Sequence, residues 1–253
     1  MKVESLLQYV DEYLGVAAHP DYRTALNGLQ VEGPETVERI ATAVDASVAS
    51  IEAAAELDAQ LLMVHHGIFW GGLQPITGAF HKRVSLLIEH GIALYSCHLP
   101  LDGHPEIGNC ALLARALGLE LDGRLGQYEG VDLGWTGSFE DQLEIETLTE
   151  RVSAAVGGSA VKVLPGGPPE IGRVGVVTGG ASSFIREAAD AGLDAFITGE
   201  GPHHAYFEAV EFGIHVLFAG HYATETFGVR ALGRHLTERF GVESSFIDQP
   251  TGL

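Results

Sequence analysis

Short apolar runs alternate with longer stretches whose apolar residues recur at helical spacing along most of the chain. That alternation restricts the fold to the α/β class. Residues 4–14 show helical spacing and stop before Gly15. Ile40 to Val44 reads as a strand, and Asp45 or Ser47 can cap a helix running through Ile51. Leu61-Leu62-Met63-Val64 is apolar throughout, the pattern of a strand buried on both faces. A helix over 81–90, a strand over 92–97 and a helix over 111–117, capped by Asn109, complete the first half.

The second half keeps the rhythm. Strands are expected at 161–164, 174–177, 194–198 and 214–218, with helices at 182–191 and 205–212. A glycine- and proline-rich loop spans 165–172, and Gly179-Gly180 reads as a plain strand–helix turn. A long helix from Thr224 to Phe240 and a strand over 244–247 close the chain. The simplest reading is two α/β domains, residues 1–125 and 126–253. The last helix and strand can pack back on the first domain.

Composition excludes several classes. Acidic residues outnumber Lys and Arg by 34 to 14, giving a formal net charge of −20. No clustered basic footprint is visible, so nucleic acid is not an expected partner. An apolar fraction of 46% is ordinary for a globular protein and too high for an acidic disordered tail. No apolar run reaches the length of a bilayer span, so no membrane association is expected. Cys97 and Cys110 are too few for a disulfide framework, and the N-terminal residues do not resemble a signal peptide. The expected location is the cytoplasm.

Twelve histidines stand out against this background. His65-His66 follows the apolar strand and precedes Gly67. Neighbouring residues on a regular strand face opposite ways, so the pair can chelate one ion only at an irregular strand end; otherwise each serves a different ion. Surface or core histidines are the alternative reading. His98 and Asp102 flank Pro100 in the segment His98-Leu99-Pro100-Leu101-Asp102, expected as a loop after a strand. Asp102 can equally be a turn residue, and Cys97 a buried one. His221 and Glu225 are an i,i+4 pair at the start of the long helix and can clamp one metal. The alternative for Glu225 is a favourable place at the positive end of the helix dipole.

Together these segments supply His65, His66, Asp102, His221 and Glu225. Imidazole with carboxylate suits Zn, Fe, Mn or Ni. Five ligands for two ions leave open coordination positions, as reactive sites do. Glu225, with two oxygens, is the natural bridge.

The segments His65-His66-Gly67-Ile68-Phe69-Trp70, His98-Leu99-Pro100-Leu101-Asp102 with Gly108-Asn109, Thr198-Gly199-Glu200, and Gly220-His221-Tyr222-Ala223-Thr224-Glu225 resemble the motifs of a known family. It is the YbgI-like dinuclear-metal hexamer family, the NGG-one-interacting-factor-like group often labelled GTP cyclohydrolase I type 2 homologues. The resemblance covers essentially the whole chain, in the family's motif order. It implies two interlinked α/β domains with mixed sheets flanked by helices, without the large domain that some members carry between the halves. It also implies a toroidal homohexamer and two divalent metal ions per chain. On the family pattern His66 and Asp102 hold one metal, His65 and His221 the other, and Glu225 touches both. His98 lies nearby as an acid/base group and Glu200 at the edge. His203 and His204 have no role in that pattern and read as a surface helix start.

Metal-assisted hydrolysis is the first expectation for the chemistry, with His98 and Glu225 as catalytic groups. Two divalent ions against two carboxylates leave a positive site, which favours a small anionic substrate such as a nucleotide or phosphoester. The alternative is a non-catalytic, metal-binding ring that acts as a scaffold. No nucleophile elbow or dinucleotide-binding glycine motif is present. An acidic surface would repel an anionic substrate unless salt screens it. Scarce lysine and abundant Asp and Glu are therefore read as the marks of a halophilic protein.

Overall fold

The structure, a computed structural model, describes residues 1–253. The chain opens with α1 (Val3–Leu14), β1 (Gly28–Val31), β2 (Arg39–Asp45), α2 (Val48–Glu56), β3 (Leu61–His66), α3 (Gly78–Glu89) and β4 (Ala93–Ser96). Next come α4 (Leu99–Gly103), α5 (Asn109–Ala116), β5 (Glu120–Tyr128), β6 (Val131–Glu144) and α6 (Ile145–Ala155). After them run β7 (Lys162–Leu164), β8 (Glu170–Val176), α7 (Ile185–Asp190), β9 (Ala195–Thr198), α8 (Ala205–Phe212) and β10 (His215–Phe218). The chain ends with α9 (His221–Thr224), α10 (Thr226–Phe240) and β11 (Glu243–Phe246). No helix is long and apolar enough to cross a membrane.

Two compact units form, each a mixed sheet flanked by helices. The first comprises Met1–Leu101 and Gly228–Gln249, the second Asp102–Phe227 and Pro250–Leu253. Residues 125 and 126, where the sequence reading divides the chain, lie inside β5, paired with β6 from Glu120↔Ser138 to Tyr128↔Val131.

In the first unit the strand order is β1-β4-β3-β2-β11. β4, β3, β2 and β11 run parallel, and β1 is antiparallel at the edge. Parallel neighbours need crossovers that cover the sheet, and α2 and α3 supply them. The central strands are therefore buried on both faces, which is why β3 carries an unbroken apolar run before its histidines. Leu62, Val64, Ala41, Ala43 and Leu94 pack with Ile51, Phe80 and Leu87 in one core. Burying one such Leu contributes about 1.5–3 kcal/mol. Ser47, not Asp45, caps α2: its Oγ accepts from the Ser50 N–H at 3.0 Å. β11 adds to β2 in parallel, Phe246 opposite Thr42, so the last strand joins the first unit.

In the second unit the order is β5-β6-β8-β9-β10-β7. β8, β9 and β10 are parallel, while β5, β6 and β7 are antiparallel to their neighbours. Leu148 and Val152 of α6 and Leu113 of α5 pack on Val174, Val176 and Ile197. Binding sites in open α/β sheets gather at the carboxyl ends of parallel strands. Those ends carry His65, His66 and His98 in the first unit, and Thr178, Glu200 and His221 in the second.

β1, β5, β6 and α6 were not expected, β8 begins within the expected 165–172 loop, and three further differences bear on the site residues. The segment after His98 is a short helix, α4, because proline in a first helical turn sacrifices no intrahelical hydrogen bond. The expected long helix starting at Thr224 is two helices, α9 and α10, and Glu225 stands between them with φ −100° and ψ 3°. Asn109 does not cap α5. Gly108 takes the cap position, and the Asn109 amide donates to Asp102 Oδ1 at 2.9 Å.

Candidate metal centre

In the first unit, β2 and β3 lie in parallel register with Asp45 opposite His66. Side chains that are neighbours across a parallel pair share a face, and the His66 Nδ1–H donates to Asp45 Oδ1 at 2.9 Å. His65, fully buried, donates from Nδ1 to the Cys97 carbonyl at 3.1 Å. Although the two residues are consecutive on a strand, they sit at its last positions. Their ring centroids lie 4.7 Å apart, and both rings approach His98, at 4.9 and 5.5 Å. One ring nitrogen from each of His65, His66 and His98 lies within 4.8 Å of the others.

His98 is braced most heavily. Its Nδ1–H donates to Asp21 Oδ1 at 2.8 Å, and its backbone N–H donates to Asn27 Oδ1 at 2.8 Å. The second oxygen of Asp21 accepts from the Leu99 N–H and from the Asn27 amide, at 2.9 and 2.8 Å. Burial pushes the Asp21 carboxyl up. The hydrogen bond and charge of His98, with Asn27 and Leu99, outweigh it and hold Asp21 below the usual carboxylate range. Trp70 packs edge-on against His98 and His66, with centroids 4.8 and 5.6 Å away.

In the second unit, the β9 and β10 ends place Glu200 and His221 side by side. His221 Nδ1–H donates to Glu200 Oε1 at 2.7 Å, and His221 Nε2 lies 3.1 Å from Glu225 Oε1. Glu225 is only 2% exposed. Burial pushes the His221 imidazole down, but Glu225 first and Glu200 second more than reverse this, and its pKa rises to about 9. Gly179, with φ +68°, adopts a backbone that other residues rarely take, and a Cβ there would fall inside the Glu225 carboxylate. Asp102, 5% exposed, accepts on Oδ1 from both Asn109 and Thr178, the latter at 3.0 Å. Thr178 contacts Cys110 Sγ at 3.3 Å. Burial, together with the Asp102 charge, pushes the Cys110 thiol up to about 12.

Each expected site residue is thus accounted for within its unit. His65, His66 and His98 converge in the first. In the second, His221 and Glu225 touch, and Asp102 is held by Asn109 and Thr178. His203 and His204 are exposed at the start of α8. The sequence reading missed Asp21 and Asn27, and offered Asp45 only as a candidate helix cap beside Ser47. A local signal existed only for Asp45, a polar residue at a strand's carboxyl end. The donor set fits a divalent transition metal, because it offers imidazole nitrogen and carboxylate oxygen.

Fold and donor clusters define a two-unit α/β protein whose His, Asp and Glu groupings can hold a metal ion. The chain belongs to the Duf34/NIF3 (NGG1p interacting factor 3) family, whose sequence model matches residues 1–252. It is 46% identical over 256 residues to a "GTP cyclohydrolase 1 type 2 homolog" of Halobacterium salinarum, covering 100% of both chains. A protein of the same name in Deinococcus radiodurans is 43% identical, over 99% of this chain and 94% of that one. The solved structure of protein ybgI, described as of unknown function, matches with a TM-score of 0.93 and 41% identity, covering 100% of both chains. The family expected from the motifs is the family the chain belongs to.

Proposed function

We propose that this chain binds two divalent transition-metal ions through His65, His66, Asp102, His221 and Glu225, and hydrolyses a nucleotide or phosphoester. One observation carries the reading. Each of His65, His66, His98 and His221 gives its Nδ1–H to a carboxylate or carbonyl oxygen, at 3.1, 2.9, 2.8 and 2.7 Å. Such a partner holds the ring and leaves Nε2 as the ligating atom, which on His221 faces Glu225 and gives up its proton when a metal binds; this is how metal-binding histidines are held. A core or surface histidine has no need of that arrangement four times over. The names of the relatives add the suggestion of ring-opening hydrolysis of a purine nucleotide.

When bound, paired divalent ions activate water near neutral pH and polarise the oxygens of the group attacked. The chain's own residues do the rest. Asn109 and Thr178 fix the Asp102 carboxylate. Glu200 orients His221, and Asp45 orients His66. Asp21 holds the Nδ1 proton of His98, which leaves Nε2 to accept a proton or give one back. Trp70 packs edge-on against the imidazoles and walls them on one side.

Metal analysis of protein purified without chelator or affinity histidines tests the binding. About two ions of Zn, Fe, Mn or Ni per chain are expected, reduced in Glu225→Ala. No metal after reconstitution would overturn the reading. A panel of nucleotides and phosphoesters tests the reaction: turnover that depends on Glu225 and His98 supports hydrolysis, and metal binding without turnover supports the scaffold alternative. The toroidal homohexamer is proposed on the same family pattern; light scattering should give six times the 26.8 kDa chain mass.

A further inference from the structure

A second cleft, in the first unit, has a chemistry that the histidine clusters do not use. It measures about 360 Å³ and lies between α10 and the strands β2 and β11. We propose that it binds a phosphomonoester, with Arg230 and Arg234 as the anion-binding groups.

Positions 230, 234, 237 and 238 of α10 recur at i, i+4, i+7 and i+8, so they share one face. Arg230, Arg234, Thr237 and Glu238 line the cleft from that side. Thr42 and Phe246, paired in register, and Ser244 line the other. Gly233 lets helix and strand approach this closely, since a Cβ there would run into Ser244.

The two guanidiniums are held differently. Arg230 lies over the Phe246 ring, 3.9 Å from its centroid, with Asp248 Oδ1 at 3.9 Å. It is therefore preorganised in direction but only loosely neutralised. Arg234, one turn further on, is exposed and forms no ion pair. Its donors are therefore available to a ligand, and it stands one helical turn from Arg230 on the same face. Two planar guanidinium forks match the oxygens of a dianionic phosphate better than a single carboxylate. The hydroxyls of Thr42 and Ser244 supply further polar groups on the opposite wall. The cleft falls in the size range of small-ligand sites and exceeds what a bare phosphate fills, which leaves room for the organic part of an ester. Glu238 is the one acid in the lining, and its charge should weaken anion binding.

Calorimetric titration of the full chain with ribose 5-phosphate and with inorganic phosphate, at constant KCl, tests the proposal. Arg234→Gln and Arg230→Gln should each weaken ribose 5-phosphate binding about tenfold or more, and Glu238→Gln should tighten it. Glu225→Ala, which alters the proposed metal centre, should leave this binding intact. Loss in Glu225→Ala with retention in Arg234→Gln would assign the ligand to the histidine clusters and overturn the proposal. Unchanged binding in both arginine variants would overturn it as well. Inorganic phosphate bound as tightly as the ester would overturn the assignment to an ester. All of these readings are independent of whether the chain hydrolyses anything.

Discussion

His66 and Asp45 stand opposite each other in the β2–β3 register, and the imidazole Nδ1–H donates to Asp45 Oδ1 at 2.9 Å. The strand pairing itself therefore selects the tautomer of a proposed ligand. Asp45→Ala should leave the fold unchanged by circular dichroism and weaken transition-metal affinity about 10–100-fold. Asp45→Asn, whose carbonyl can still accept the hydrogen bond, should lose less. Competition titration against a chromogenic chelator reads both, and an Asp45→Ala affinity equal to the wild type would remove the positioning role.

The imidazoles were legible in the sequence because each stands at the end of an apolar run, within two residues of a glycine or a proline. Their partners were harder to see. Asp21 reaches His98 across 77 positions, from a stretch without periodicity, and nothing local marks it. The β5–β6 hairpin was hidden for another reason. Gly123, Gly126, Gly134 and Gly137 make residues 120–144 look like loop. A Cβ at Gly134 would meet the Val176 carbonyl, and one at Gly137 the Glu120 carbonyl, so these glycines serve close strand packing. The break at Glu225 was also invisible, because the i,i+4 spacing of His221 and Glu225 reads as one helical face even though Thr224, Thr226 and Gly228 around it are poor helix formers. It takes the carboxylate's placement beside His221 to show why the helix stops there.

Gly179→Ala tests how tightly that carboxylate is caged. The substitution strains a backbone at φ +68° and drives a methyl group into Glu225. A stability loss on the order of 1–3 kcal/mol is expected from the backbone alone. Metal content should fall with it, because Glu225 must move. Gly192→Ala has a similar φ of +69° but its Cβ would meet only the far end of Arg173. It should lose stability and keep its metal. Equal metal loss in both variants would argue against a specific clash at Glu225.

The Cys110 thiol, fully buried and pushed up to about 12, should be inert to thiol reagents in the native protein and react only on unfolding. The same shift has a consequence for stability. The folded state holds its proton more tightly than the unfolded chain, whose thiol titrates at its ordinary value near 9.0. The associated stability is fully present below pH 9 and is lost as pH rises toward 12. Denaturant unfolding between about pH 9 and 12, the window set by the thiol's unfolded and folded states, should therefore show a steeper alkaline loss in the wild type than in Cys110→Ala. Parallel profiles would show that the thiol stays protonated in both states or that other groups dominate.

The excess of acidic residues gives the last prediction. A net charge of −20 on 253 residues sets carboxylates against one another, and only 14 Lys and Arg offset the 34 Asp and Glu. Of the ion pairs that form, several are on the surface, such as Arg39 with Asp58 and Glu243, and contribute little. Self-repulsion of this kind is relieved by salt, since the screening length falls from about 10 Å at 0.1 M to about 3 Å at 1 M. The melting temperature should therefore rise as KCl goes from about 0.1 M toward molar levels. The weak surface pairs would also be screened, but they are too few to reverse the trend. Substituting a handful of exposed carboxylates by neutral amides, away from both the histidine clusters and the arginine cleft, should flatten the dependence. A melting temperature that stays level or falls across that range in the wild type would show that repulsion is not what the acidic surface costs this fold.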